Sequence, residues 1–240
     1  MSPTTTPGKM VLRKDYVPLD ASYPNVSLLL HGDGANGSTT ITDSSTTPIT
    51  VTAVNNAQIS TAQSKFGGSS LYTPQADADI FNFTHIGSSL EFPGDYTIEC
   101  WHYIPTLTGF LASSVFVTSN IAVDAYHAFN ITSANYNLYF NSSSFTSIAH
   151  GFTAATWHHI ALCRSGSTVR VFTDGVEKGS VTSSITHGYP SGSVGLARIG
   201  GGAPNAGARY IDDLRITKGV ARYTSNFTPP TEPFPNGVNG

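Results

Sequence analysis

WHHIALCRSGSTVRVFTDGVEKGS, residues 157–180, reads as three strands and two turns. WHHIALCRS and TVRVFTDG are β-branched and apolar bursts joined at Ser165-Gly166-Ser167, where glycine supplies the positive φ of a tight connection. The second turn is Asp174-Gly175, lying between VRVF and VEKGS. An Asp-Gly pair flanked by such runs is a strong short-range hairpin signal and should fix the register. His158 and His159 are adjacent on one strand, so a period of two points them to opposite faces. They cannot share a metal, and the expectation is one ring in the core and one in solvent.

The same texture continues outward in both directions. VSLLL, ITDSS, PITVTAV, AQISTA, SLYT, DYTIECWHYI, FLASSVFVT, YNLYF, TSIAHGF, VGLARIG and YIDDLRIT are short apolar bursts bounded by Gly, Pro, Asn or Ser, the pattern of an antiparallel sandwich or barrel. No stretch after residue 26 sustains an i, i+3, i+4, i+7 apolar period, so helix should be nearly absent. No solenoid repeat and no shift in composition divides the chain, and one core is expected. Residues 1–25 hold four prolines up to Pro24 and the basic cluster Lys9, Arg13 and Lys14, and read as an arm or anchor. Residues 26–228 form the domain. Residues 229–240 form a proline-rich tail, because Pro229, Pro230, Pro233 and Pro235 forbid helix interior and central strand.

Only 11% of the residues are charged and the formal net charge is −3. No basic stripe attracts nucleic acid or anionic lipid, and the longest early apolar run, Val26 to Leu30, is too short to span a membrane. No charged-then-apolar signal segment precedes it. Cys100 and Cys163 each sit within an expected strand and read as buried free thiols rather than a disulfide.

Five separated blocks resemble a known family. SLLLHGDGANGSTTITDSS (27–45), AQISTAQSKFGGSSLY (57–72), DYTIECW (95–101), the hairpin segment 157–180 and YIDDLRITKGVARYTSNFTPPTEPFP (210–235) are similar to laminin-G-like, concanavalin A-like jelly-roll modules in structural proteins of tailed bacteriophages, especially those of cyanobacteria. The resemblance implies an all-β, two-sheet antiparallel jelly-roll sandwich with an extended N-terminal arm, its first and last strands side by side. The chain departs from the family at Tyr72 to Asp79, where an aromatic and an Asp-Gly pair usually follow FGGSS. The aromatic-rich stretch from Phe110 to Phe152 matches only loosely.

Catalysis on this fold uses closely spaced carboxylates, whereas Glu91, Glu99, Glu177 and Glu232 fall in four different segments. No zinc spacing, G-x-S-x-G elbow or phosphate loop occurs. Calcium takes six to eight oxygens from carboxylates and carbonyls. Asp33, after the first strand, with Asp212 or Asp213 on the last, is the candidate site, since relatives carry a structural calcium in this neighbourhood. The alternative is a Gly/Asn turn beside solvent-facing acids. Sugar binding would use aromatic faces with amides or carboxylates beside them, and Tyr126, His127, Tyr136 and Tyr189 have that neighbourhood, although strand aromatics are more often core.

The expected function is therefore that of a non-enzymatic virion protein on the particle surface, a capsid decoration or tail-fibre-associated module. Its expected partners are other virion proteins, through the arm, and host-surface polysaccharide; neither nucleic acid nor membrane is expected, and self-association is left open. The alternatives are a soluble lectin-like carbohydrate-binding protein and a divergent glycoside hydrolase.

Overall fold

In a computed structural model, the structure describes residues 20–74, 79–86, 90–107, 113–120, 125–140, 145–184, 194–200 and 207–237. In chain order the strands are β1 (Val26–Leu30), β2 (Thr40–Ile41), β3 (Val51–Val54), β4 (Gln58–Ser60), β5 (Ser70–Thr73), β6 (Ile80–Ile86), β7 (Tyr96–Tyr103), β8 (Ser113–Asn120), β9 (Ala125–Ile131), β10 (Asn135–Tyr139), β11 (Phe145–Ala149), β12 (Trp157–Ser165), β13 (Thr168–Thr173), β14 (Val176–Thr182), β15 (Val194–Gly200) and β16 (Arg209–Lys218). Among the described residues the only helical element is one 3-10 turn, Tyr23–Asn25.

Two antiparallel sheets face each other. The first runs β14-β13-β12-β7-β16-β5-β4, with β1 also paired to β16; the second runs β11-β10-β9-β8-β15-β6-β3-β2. First and last strands are thus neighbours, Leu30 opposite Leu214 and Val26 opposite Thr217. Between the sheets, Ile98, Cys100, Ile160, Leu162, Leu71 and Ile216 of one meet Phe81, Phe83, Phe116, Phe129, Tyr136 and Leu138 of the other in one core. This is the jelly-roll sandwich, and alternation explains it: residues two apart, such as Ile98 and Cys100 of β7 or Ile160 and Leu162 of β12, point inward together.

The hairpin segment folds as its turns dictate. Ser165 pairs with Thr168 across Gly166-Ser167, with Gly166 at φ +59°. Thr173 pairs with Val176 across Asp174 (φ +50°) and Gly175 (φ +77°), two successive left-handed residues as a primed two-residue turn requires. Both cysteines are buried and free, and burial pushes the Cys163 thiol up to about 12, so neither serves as a nucleophile at neutral pH.

The outer face of the first sheet differs from expectation. An antiparallel strand covered on one side alternates buried and exposed, but β7 and β12 are buried at nearly every position. The cover is the segment after β16. Tyr223 and Phe227, stacked 3.5 Å apart, lie against Phe172, Ala161 and Cys163, and Phe234 joins Val26 and Leu29. Backbone bonds fix it: Gly219 N to Asp95 O at 2.7 Å and Phe227 N to Gly175 O at 2.9 Å. Two expectations change. His159 is the ring of the pair that points away from the core, yet it is not in solvent: it has no exposure because Phe227 and Tyr223 pack over it. The packed unit also exceeds residues 26–228, since Asp20 and Phe234 are both buried. Prolines exclude a segment from central strands but not from lying across a sheet, and Arg215 sits over the Phe234 ring at 3.6 Å.

Candidate functional site

β16 carries the polar centre of the outer face. Its first half pairs with β5, Ile211 opposite Leu71, and its second half with β1. Where the neighbour changes, the ladder with β7 slips: Asp212 opposes Trp101 and Arg215 opposes Glu99. Two residues face one on β7, which is a bulge, and Asp213 adopts φ +52°, an uncommon region for a residue with a Cβ. The bulge lets two consecutive aspartates avoid the core, and each takes a different set of partners.

Asp212 Oδ2 accepts from the backbone N–H of Lys65 at 2.6 Å and of Phe66 at 3.0 Å. Its Oδ1 is buried without a partner. Burial raises this carboxyl and the two N–H donors lower it, but the charges of Asp213 and Asp33 raise it further, to about 7. Asp33 lies against Gly67 so closely that a Cβ there would meet Asp33 Oδ1 at 1.8 Å. Asp213 has both oxygens committed, Oδ1 to His31 Nδ1 at 2.6 Å and Oδ2 to the Phe234 N–H at 2.7 Å. His31 continues the chain to Asn236 Oδ1. Burial alone would lower the His31 pKa, but Asp213, with Asn236 and Asp33, raises it overall. His31, Asp33, Thr42, Ser44, Ile59 and Asn236 line a cavity of about 220 Å³.

The expected calcium set is therefore split. Asp33 lies near enough to Asp212 to raise its carboxyl, and Asp212 Oδ1 is buried without a partner; Asp213 is spent on His31 and Phe234. Among the described residues no group of three or more His, Cys, Asp and Glu side chains is arranged to hold a metal. Any ion would have to complete its shell from carbonyls and water.

A second polar cluster lies farther along the same face. Glu99, fully buried, accepts from Arg215 Nη2 at 2.7 Å and from the Tyr223 hydroxyl at 2.8 Å. His159 Nε2 is 3.4 Å away, near enough for charge but not aimed to hydrogen-bond. Arg215 and Arg222 both reach Asp20, at 3.0 Å and 2.7 Å. Burial would raise the Glu99 carboxyl, but Arg215, helped by His159 and Arg222, holds it down at about 2. This cluster ties residue 20, β7, β16 and the final segment together.

The expected sugar contacts fare unevenly. Tyr136 has no exposed surface; its ring packs on Phe129 and Phe152 and its hydroxyl meets Thr173 Oγ1 at 2.6 Å. It is a core residue, closed to any ligand. Tyr126 and His127 lie on β9, opposite Ser119 and Thr118, but their side chains, like the whole of Tyr189, fall outside the described residues. The aromatics that reach the surface of the first sheet are others: Tyr72, Tyr103, Trp157 and Tyr210, all half-buried. Alternation on each strand placed them opposite a core neighbour, but only the pairing of the strands brings them together.

This two-sheet architecture has counterparts. The sequence profile of the Concanavalin A-like lectin/glucanases superfamily matches residues 75–222, more than half of the chain. The chain belongs to that superfamily. Among solved structures, this concanavalin A-like chain is similar to the binding domain of Paraclostridial Mosquitocidal Protein 1, with TM-score 0.61 and 14% identity over 82% of this chain and 49% of the other. It is likewise similar to the receptor binding domain of botulinum neurotoxin D, with TM-score 0.60 and 11% identity over 87% of this chain and 51% of the other. A third is a structure of botulinum neurotoxin type C, whose cell entry is described as dependent on two ganglioside molecules, with TM-score 0.58 and 13% identity over 81% of this chain and 48% of the other. The chain spans about half the length of these structures, and at such identities the likeness is one of fold. A search of the curated proteins finds no match.

Proposed function

We propose that this lectin-like chain is a non-catalytic carbohydrate-binding module displayed on the surface of a bacteriophage particle, as a capsid decoration or tail-fibre-associated protein, where it engages host-surface polysaccharide. The observation that carries the binding part is membership of the lectin/glucanase superfamily across residues 75–222; the virion part rests on the five sequence blocks. The ganglioside dependence of a neurotoxin with the same fold is consistent with a glycan ligand. Against a glucanase, Glu99 is locked between arginines, and Asp212, whose carboxyl feels Asp213 and Asp33, has 1% exposure. A glycosidase needs both acids against the scissile bond. Asp33 and Asp212 would instead hold a calcium ion that fixes the Lys65–Phe66 loop against β16.

The test is co-sedimentation of the whole chain with insoluble host-envelope polysaccharide, with reducing ends assayed in the supernatant. Retention without release of reducing ends is the expected result. Steady release of sugar would make the chain a hydrolase and overturn the reading. For the arm, a chain starting at Asp20 keeps every described contact and should melt like the full chain while losing its place on particles. Full occupancy by the truncated chain would remove the arm from the account.

A further inference from the structure

One line of side chains on the outer face of the first sheet takes no part in the polar clusters. Gln58 of β4 is directly opposite Tyr72 of β5, Tyr72 opposite Tyr210 of β16, Tyr210 opposite Tyr103 of β7, and Tyr103 opposite Trp157 of β12. Directly opposed residues share a face, so these five side chains form one row across five strands. Their strand neighbours Leu71, Ile211 and Ile104 point the other way, into the core. The rings touch in sequence: Tyr72 and Tyr210 stack at 4.6 Å, Tyr210 meets Tyr103 edge-on at 5.7 Å, and Tyr103 lies 5.5 Å from Trp157.

The row begins where the chain's own cover stops. Tyr223, Phe227 and Phe234 close the far part of this face, and Lys65 and Phe66 close Trp101, with Lys65 Nζ 3.9 Å from its ring. Beyond Trp101 the next row stays half-buried. Four large aromatic side chains in one line, each half-buried where Trp101 and the far part of the face are covered by described residues, present a contact surface.

We propose that the row Gln58–Tyr72–Tyr210–Tyr103–Trp157 is a platform for an uncharged polysaccharide chain lying across the strands. Three observations select that occupant. No acid or base belongs to the row, so it offers nothing to an ionic partner. Its polar groups are one amide and three phenols, which both donate and accept as sugar hydroxyls do; burial and the flanking Tyr72 and Tyr103 push the Tyr210 phenol up, keeping it neutral. Five positions at about 4.8 Å per strand make a line of about 19 Å, long and narrow, suited to several consecutive sugar rings rather than to a globular partner. Pyranose C–H faces would lie against the rings and their hydroxyls would meet the phenols and Gln58. This site rests on the carbohydrate-binding reading above and gives it a location.

Affinity electrophoresis of the full chain in native gels containing galactomannan, laminarin, xylan or dextran, with alginate as the anionic comparison, tests it. Retardation by at least one neutral polymer and not by alginate is expected. Tyr103→Ala and Trp157→Ala should each weaken retardation roughly tenfold, as loss of an aromatic contact implies, while Trp157→Phe retains most of it. In a Trp101→Phe background the remaining indole, Trp157, should change fluorescence on titration with the retarding polymer. Melting curves separate lost binding from lost folding. If the wild type is retarded and the folded row variants equally so, the row is not the platform while the binding reading stands; if no polymer retards the wild type, the binding reading itself fails. If deletion of residues 1–19 changes Trp157 fluorescence without sugar, the row is occupied by the chain's own leading segment and the proposal falls.

Discussion

Asp212 and Glu99 sit on adjoining strands of one sheet and shift in opposite directions: burial, with Asp213 and Asp33 beside it, raises one, whereas around the other Arg215 and its neighbours overcome burial. For Asp212 the folded pKa is raised to about 7. From about pH 4 to about 7 the folded chain therefore holds a proton that the unfolded chain has released, so stability falls as pH rises through this window, and the penalty is complete above it. Asp212→Asn should raise the melting temperature above pH 7 in chelator and flatten the slope. The raised pKa of His31 acts in the same direction and leaves a residual slope in that variant. If calcium binds Asp33 and Asp212, millimolar calcium should stabilise the wild type at pH 8 and not Asp212→Asn; melting temperatures equal in calcium and in chelator would remove the ion. Glu99 behaves inversely. Its folded pKa of about 2 contributes stability that is present above the usual glutamate value and lost as pH falls towards 2. Glu99→Ala, which leaves Arg215 with Asp20 as its remaining carboxylate and the Tyr223 hydroxyl without its acceptor, should cost about 3–5 kcal/mol in denaturant unfolding at neutral pH.

At the scale of elements, the β13–β14 turn and the segment after β16 depend on each other. A Cβ on Gly175 would lie 1.9 Å from the Phe227 carbonyl oxygen, and the same glycine has φ +77°. Gly175→Ala should therefore destabilise the chain by about 1–3 kcal/mol and expose the Tyr223–Phe227 stack, seen as faster amide exchange at Phe227. Gly166→Ala, with φ +59° but nothing within 4 Å of its added Cβ, should cost less; equal losses would mean that the segment is not held through Gly175. Both turns were legible from the sequence, because Gly and Asp-Gly between alternating strands carry a local geometric demand. The bulge at Asp212–Asp213 was not. Nothing local distinguishes it from regular strand; it arises because β16 exchanges β5 for β1 as its neighbour, a consequence of pairing between residues far apart in sequence. The splitting of the aspartates between Lys65–Phe66 and His31–Phe234 follows from that bulge.

At the scale of the whole molecule, two sheets around one core and the adjacency of β1 and β16 were readable from strand texture and family resemblance. The extent of the domain was not, because the outer cover is built from residues that look like tail: Phe234 among four prolines, and Asp20 before the first strand. Burial of the Asp20–Arg215–Arg222 cluster makes both ends part of the unit. A chain ending at residue 228 should therefore unfold at a lower temperature than one ending at residue 237, with the loss read by calorimetry. Glycan residues were the least legible. Alternation marks which side chains leave the core but not which strands stand side by side, so the sequence does not separate the inward-facing Tyr136 from a surface aromatic or reveal the row ending at Trp157. This lectin-like sandwich is proposed to bind polysaccharide without cleaving it. Titration calorimetry of the wild type with soluble fragments of host-surface polysaccharide tests it most directly. Saturable binding, with the fragments recovered at unchanged length, is the predicted result; absence of heat across neutral fragments, or their shortening during the titration, would contradict it.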